Sequence, residues 1–166
     1  MPRQARIDGP GALHHIICRG IERRNIFKDN TDRDRFLERL GSVLQKTSTP
    51  CYGWALIPNH FHLLLKTGKE PIAQVMRRLL TGYAVTFNRR HRRCGRLFQN
   101  RYKSILCQEN TYLLELVRYI HLNPIRDLDL TATEVGKYLG LSKSAVSRAA
   151  NRGQKLIVDQ FLSLKD

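Results

Sequence analysis

A chain of 166 residues, 42% of them hydrophobic and without a long biased tract, supports one packed domain plus a small appendage and excludes both a disordered protein and two full domains. Lys and Arg outnumber Asp and Glu 29 to 14, a formal charge of +15, so the surface attracts polyanions and nucleic acid is the first partner to consider. No apolar run of about 18 residues occurs and residues 1–4 (MPRQ) lead into no signal core, which points to a cytoplasmic protein with no membrane contact.

Residues 14–19 (HHIICR) form a short β-prone run ended by Gly20, and the polar stretch 23–32 follows as a loop. From Thr31, the segment TDRDRFLERLGSVLQK places Phe36, Leu37, Leu40, Val43 and Leu44 at helical spacing, with Thr31 as N-cap and acids in the first turn. Residues 51–57 (CYGWALI) and 60–66 (HFHLLLK) are apolar runs separated only by Pro58 and Asn59, which predicts a tight antiparallel hairpin. Residues 72–89 read as a second helix that buries Ile72, Val75, Met76, Leu79, Leu80, Tyr83 and Phe87, slightly weakened by Gly82.

The arginine-rich residues 89–95 form a loop, and residues 96–107 supply a fourth strand around Leu97, Phe98, Tyr102, Ile105 and Leu106. A third helix, capped by Asn110 or Thr111, carries Leu113, Leu114, Leu116, Val117 and Ile120 and stops at Asn123, because Pro124 disfavours a helical residue before it. The order is β-α-β-β-α-β followed by a helix, that of an α+β, ferredoxin-like split sandwich with one antiparallel sheet and helices on one face.

The character changes after residues 127–130. Residues 131–153 (TATEVGKYLGLSKSAVSRAANRG) have a helix-turn-helix pattern: Gly136 allows close packing, Gly140 supplies the turn, and Val135, Leu139, Leu141 and Val146 form the shared core. Ser142 caps the second helix and leaves Lys143, Ser144, Ser147, Arg148 and Arg152 to face a major groove of duplex DNA. The domain boundary therefore falls between 1–127 and 128–166.

Basic charge is concentrated between residues 71 and 108, which hold Arg77, Arg78, Arg89, Arg90, Arg92, Arg93, Arg96, Arg101 and Lys103 and no Asp or Glu. A merely soluble face would carry neutralising acids, so this stretch reads as a nucleic-acid contact surface, with Phe98, Tyr102 or Tyr83 as rings for base stacking and Tyr83 as the one better suited to the core. Cys18, Cys51, Cys94 and Cys107 lack zinc-site spacing and are expected as reduced, unlinked thiols. His60 and His62 flank Phe61 on a strand, so both imidazoles project from one face about 7 Å apart along the backbone, spacing that lets them chelate one metal. Tyr119 and Asn123 stand one helical turn apart and share a face, while His121 points elsewhere.

PNHFHLLLK resembles the HUH-type motif of single-tyrosine transposases, and GRLFQNRYKS and YLLELVRYIHLNPIR resemble signatures of the REP-associated tyrosine transposases. The opening HHIICRGIERRNIF with DRFLERL is similar to the same group, and the resemblance covers residues 12–126 in the right order. It implies that His60 and His62 bind a divalent cation, Mg²⁺ or Mn²⁺, with Asn123 as third ligand, and that Tyr119 is the nucleophile on a hairpin or single-stranded DNA substrate. On this reading, attack by Tyr119 leaves a 5′-phosphotyrosine link and a 3′-hydroxyl, and a second 3′-hydroxyl reverses the step, so nicking and joining need no ATP. The segment after Arg126 departs from the family, because the aromatic-rich stretch that commonly follows there is shortened.

Two functions compete on these grounds. One is an active DNA strand-transferase, working as a monomer or homodimer. The other is an inactive, domesticated DNA-binding regulator that keeps the catalytic domain as a scaffold. Intact His60, His62 and Tyr119 favour the first, and the absence of an aromatic RNP-like strand motif argues against an RNA reader.

Overall fold

The computed structural model describes residues 9–107. The chain runs through β1 (Leu13–Arg19), α1 (Asn30–Thr47), β2 (Cys51–Ile57), β3 (His60–Lys66), α2 (Ile72–Arg90) and β4 (Lys103–Cys107), with a 3-10 turn at Ile21–Arg23 after β1. All neighbours in the sheet are antiparallel and the order is β2-β3-β1-β4, so the predicted split β-α-β-β-α-β arrangement is present. The predicted third helix, with Tyr119 and Asn123, and the helix-turn-helix residues Lys143, Ser144, Ser147, Arg148 and Arg152 lie outside the described residues.

Both helices pack on one sheet face. Phe36, Leu40 and Val43 of α1 and Ile72, Val75, Met76, Leu79, Tyr83 and Phe87 of α2 meet Ile16, Cys18, Leu56, Phe61, Leu63 and Leu65 in one core. Leu80, predicted in that stripe, packs only partly buried at its margin. A Cβ at Gly82 would meet the Arg39 guanidinium of α1, the far end of a flexible side chain that can swing aside.

Two expectations need correction. The N-cap of α1 is Asp29, whose carboxylate accepts from the Asp32 amide at 3.0 Å, and Thr31 already lies inside the first turn. The fourth strand is confined to Lys103–Cys107. Residues 96–102 leave the ladder to follow α2, keeping a single bridge between Phe98 and Gly20, because Leu97 and Tyr102 turn into the helix-side core. Tyr83 is a core residue 1% exposed, and its hydroxyl donates to the Ile26 carbonyl at 2.5 Å, which leaves Phe98 as the better exposed of the three rings named for stacking. Tyr83→Phe strands that buried carbonyl and is expected to lower the unfolding free energy by about 1–2 kcal/mol in urea titration; an unchanged midpoint would show that the bond contributes nothing.

The opposite sheet face is also buried. Leu13, His15, Ala55, Ile57, Leu64, Ile105 and Cys107 are each under 9% exposed, although alternation turns them away from α1 and α2. Cys18, Cys51, Cys94 and Cys107 are unlinked. Among the described residues no helix is long and apolar enough to cross a membrane.

Candidate active site

The site is built on the β2–β3 hairpin. Pro58 and Asn59 make its turn, and the loop after β1 secures it: the amides of Ile26 and Phe27 donate to the Pro58 carbonyl at 2.7 and 3.0 Å, and the Gly20 amide donates to the Asn59 carbonyl at 2.8 Å. His60 and His62 then project from the sheet face turned away from α1 and α2, their ring centroids 5.1 Å apart and their planes at 67°. Arg19 pairs with His60 across the ladder and shares that face.

Each imidazole is held through Nδ1. His60 Nδ1 lies 2.6 Å from Asn59 Oδ1, an atom that can only accept, so the proton sits on His60 Nδ1 and the lone pair on Nε2. His62 Nδ1 lies 2.9 Å from Nε2 of His15, a residue of β1 with no exposed surface. The two rings are 5.2 Å apart and within 21° of coplanar, the geometry of an in-plane N–H···N bond joining them edge to edge. Burial depresses the His15 pKa to about 4. Burial likewise holds His62 down at about 2, helped by the charges of His15, His60 and Arg19. Both rings are therefore neutral across the physiological range, the form in which imidazole binds a metal.

These features fit a divalent cation: two imidazoles close together, each with Nδ1 occupied by a neighbour, and His62 held neutral by burial. Among the described residues no cluster of three or more His, Cys, Asp or Glu completes a ligand set. A cation at this pair would need further donors, and oxygen atoms alongside two imidazoles suit Mg²⁺ or Mn²⁺.

Next to His60 a cleft of about 400 Å³ is lined by Arg19, Arg23, Asn25, Ile57, Pro58 and Asn59. It holds two arginines and no acid, which suits a phosphate. A larger groove of about 1110 Å³ runs between Ala73, Arg77, Leu80 and Thr81 of α2 and the Arg96, Phe98, Gln99, Asn100, Arg101 and Tyr102 stretch. That stretch is fastened to the C-terminal end of β1, beside His60, because the Gln99 amide donates to the Arg19 carbonyl and the Ile21 amide to the Leu97 carbonyl, both at 3.0 Å.

The basic residues named from the sequence divide by location. Arg77, Arg96 and Arg101 line the groove, Arg89 and Arg92 are exposed, and Lys103 stands on the histidine face of β4, its pKa lowered by burial and by Arg19. Arg78 pairs with Glu70 at 2.9 Å, and the Arg93 guanidinium lies 5.9 Å from the Phe87 ring centre. Arg90 is bound to Asp29 and Asp32 at 2.7 and 2.6 Å, an intramolecular use that takes it out of the contact surface. Sequence reasoning did not single out Arg19, His15 or Asn59. The only signals were the His14-His15 doublet and the alternation of His15, Ile17 and Arg19, which cannot be paired with the hairpin until the strand register is known.

A REP-associated tyrosine transposase solved bound to a REP hairpin shares the fold, with a TM-score of 0.61 at 15% identity over 76% of this chain and 74% of that one. A putative transposase from Deinococcus radiodurans gives a TM-score of 0.49 at 15% identity over 74% of this chain and 98% of its own. No curated protein matches the sequence. The family model for IS200-like transposases matches residues 11–123, a span that begins just before β1 and includes the whole β2–β3 hairpin. This chain belongs to the IS200-like transposase family.

Proposed function

We propose that the protein is a metal-dependent DNA strand-transferase that cuts and rejoins single-stranded or hairpin DNA through a 5′-phosphotyrosine link on Tyr119. The observation that carries the reading is the His60–His62 pair, two neighbouring imidazoles held through both Nδ1 atoms on the sheet face turned away from α1 and α2. That face is apolar and buried, and residues 111–122 supply a complementary stripe in Leu113, Leu114, Leu116, Val117 and Ile120. Docking of this stripe as a helix brings Tyr119 to the histidine pair, and Asn123 one turn later joins His60 and His62 as an oxygen ligand.

A cation bound there would polarise the scissile phosphate and stabilise the charge of the transition state. The Tyr119 hydroxyl gives up its proton as its oxygen bonds to phosphorus, and the bond from phosphorus to the 3′-oxygen breaks, that oxygen leaving as a hydroxyl. Re-attack by a 3′-hydroxyl returns the proton to the phenol and rejoins the strand. Arg19 and Arg23 hold phosphate beside His60, while Arg77, Arg96 and Arg101 grip the backbone of the single strand along the groove, with Phe98 as its stacking platform. Lys143, Ser144, Ser147, Arg148 and Arg152 provide a separate duplex contact through the helix-turn-helix.

The test is a hairpin oligonucleotide with a single-stranded flank, incubated with Mn²⁺. Wild type is expected to form a covalent adduct that Tyr119→Phe cannot form. A wild type that shifts duplex DNA in a gel but forms no adduct on any such substrate would instead make the chain a DNA-binding regulator.

A further inference from the structure

His15 has no described role and an arrangement that packing does not explain. It is 0% exposed at the centre of the sheet, and its Nδ1 has no hydrogen-bond partner among the described residues. A buried polar atom left unpaired carries a desolvation cost that an apolar side chain of similar volume would avoid. The polar bond that His15 does make is at its other nitrogen, Nε2, to Nδ1 of His62 at 2.9 Å. The two residues occupy diagonal positions of neighbouring strands, since His62 pairs with Ile17 while His15 pairs with Leu64, so the ladder itself sets their separation.

One proton lies between those two nitrogens, and its position decides which His62 nitrogen carries the lone pair. If His62 donates, its lone pair is on Nε2; if His15 donates, Nε2 of His62 carries the proton and cannot ligate. On the other histidine the matter is settled by Asn59 Oδ1, which accepts from His60 Nδ1. We infer that His15 plays the same part for His62, as a positioning residue whose Nε2 accepts the His62 Nδ1 proton and so fixes His62 as an Nε2 ligand. The proton of His15 is then on its own Nδ1, and the fold tolerates that unmet donor because the acceptor on the far side of the ring is needed. The inference rests on the proposed cation site, and it concerns which residue prepares that site rather than which residues form it.

The test compares wild type, His15→Gln and His15→Met in the full chain. Gln keeps an acceptor near the position of Nε2, whereas Met fills the volume without one. Mn²⁺ affinity is read by calorimetry without DNA, and the His62 tautomer by ¹⁵N NMR on metal-free protein. Expected are a His62 proton on Nδ1 in wild type and the Gln variant, its redistribution toward Nε2 in the Met variant, and about 10–100-fold weaker Mn²⁺ binding by the Met variant alone. Thermal stability of the Met variant at or above wild type would show that weaker binding is not a folding defect. Equal Mn²⁺ affinity in wild type and the Met variant overturns the inference, as does a wild-type His62 protonated on Nε2. A wild type that binds no Mn²⁺, or one whose Mn²⁺ affinity His60→Ala leaves unaltered, sinks the strand-transfer reading instead, and the tautomer spectra still decide the role of His15.

Discussion

His60→Ala and His62→Ala are each expected to reduce Mn²⁺-dependent adduct formation by at least about 10³-fold, equivalent to roughly 4 kcal/mol of transition-state stabilisation, yet they should differ in stability. His62 is 6% exposed, so its removal opens a cavity in the buried sheet face and leaves neither ring nitrogen of His15 bonded among the described residues. A loss of about 2–3 kcal/mol in unfolding free energy follows from the cavity and the stranded nitrogen together. His60 sits at the start of β3, only partly buried, with its Nδ1 bonded to the adjacent Asn59, and its removal should cost under about 1 kcal/mol. Urea titration beside adduct quantification separates the effects. Wild-type adduct levels in His60→Ala would mean that the pair does not hold the ion, and equal stability of the two variants would mean that the His15–His62 bond contributes nothing.

Much of this fold is legible in the sequence because its periodicities are unambiguous. The β2–β3 hairpin falls on the spans read from two apolar runs around Pro58 and Asn59, and α2 ends one residue beyond the expected limit. The errors arise where local chemistry has two solutions. Asp29 and Thr31 are both good caps, and the deciding factor is tertiary: Asp29 also receives Arg90 from the end of α2, which draws the helix start toward it. Residues 96–102 have the composition of a strand, but burial of Leu97 and Tyr102 against the helices outweighs continued pairing with β1.

The site divides in the same way. His60 and His62 are visible because i, i+2 spacing on a strand is a local signal. Their supports are less accessible, since Asn59 reads as a turn residue and His15 meets His62 only through a strand register that joins positions 47 apart in sequence. The basic stretch shows the converse limitation. Charge counting finds Arg77 and Arg90 alike, and only the fold shows that Arg77 lines an open groove while Arg90 is consumed by carboxylates 58 and 61 residues away.

That carboxylate cluster supports the second prediction. Asp32 is 1% exposed, and it accepts from the Lys28 amide at 2.9 Å, from Arg90 at 2.6 Å and from His91 Nε2 at 2.9 Å, joining the N-terminus of α1 to the C-terminus of α2. Acids at the first end and bases at the second also match the two helix dipoles. Asp32→Ala leaves His91 and the Lys28 amide without this acceptor and Arg90 with Asp29 alone, in a largely enclosed space, and a loss of about 3–5 kcal/mol is expected. Asp29→Ala removes a half-exposed, solvent-screened partner of the same arginine together with the helix cap, a smaller loss than that at Asp32. Arg90 holds the Asp29 carboxyl down at about 2, so the stabilisation from this pair is present above its ordinary value of 3.8 and is lost as pH falls through about 2. Thermal melts near neutral pH should therefore rank wild type above Asp29→Ala and Asp29→Ala well above Asp32→Ala. Similar melting temperatures for the two variants would show that the buried contacts of Asp32 do not fasten the helices, and that α1 and α2 are held by their apolar packing, with Phe36, Tyr83 and Phe87 at its centre.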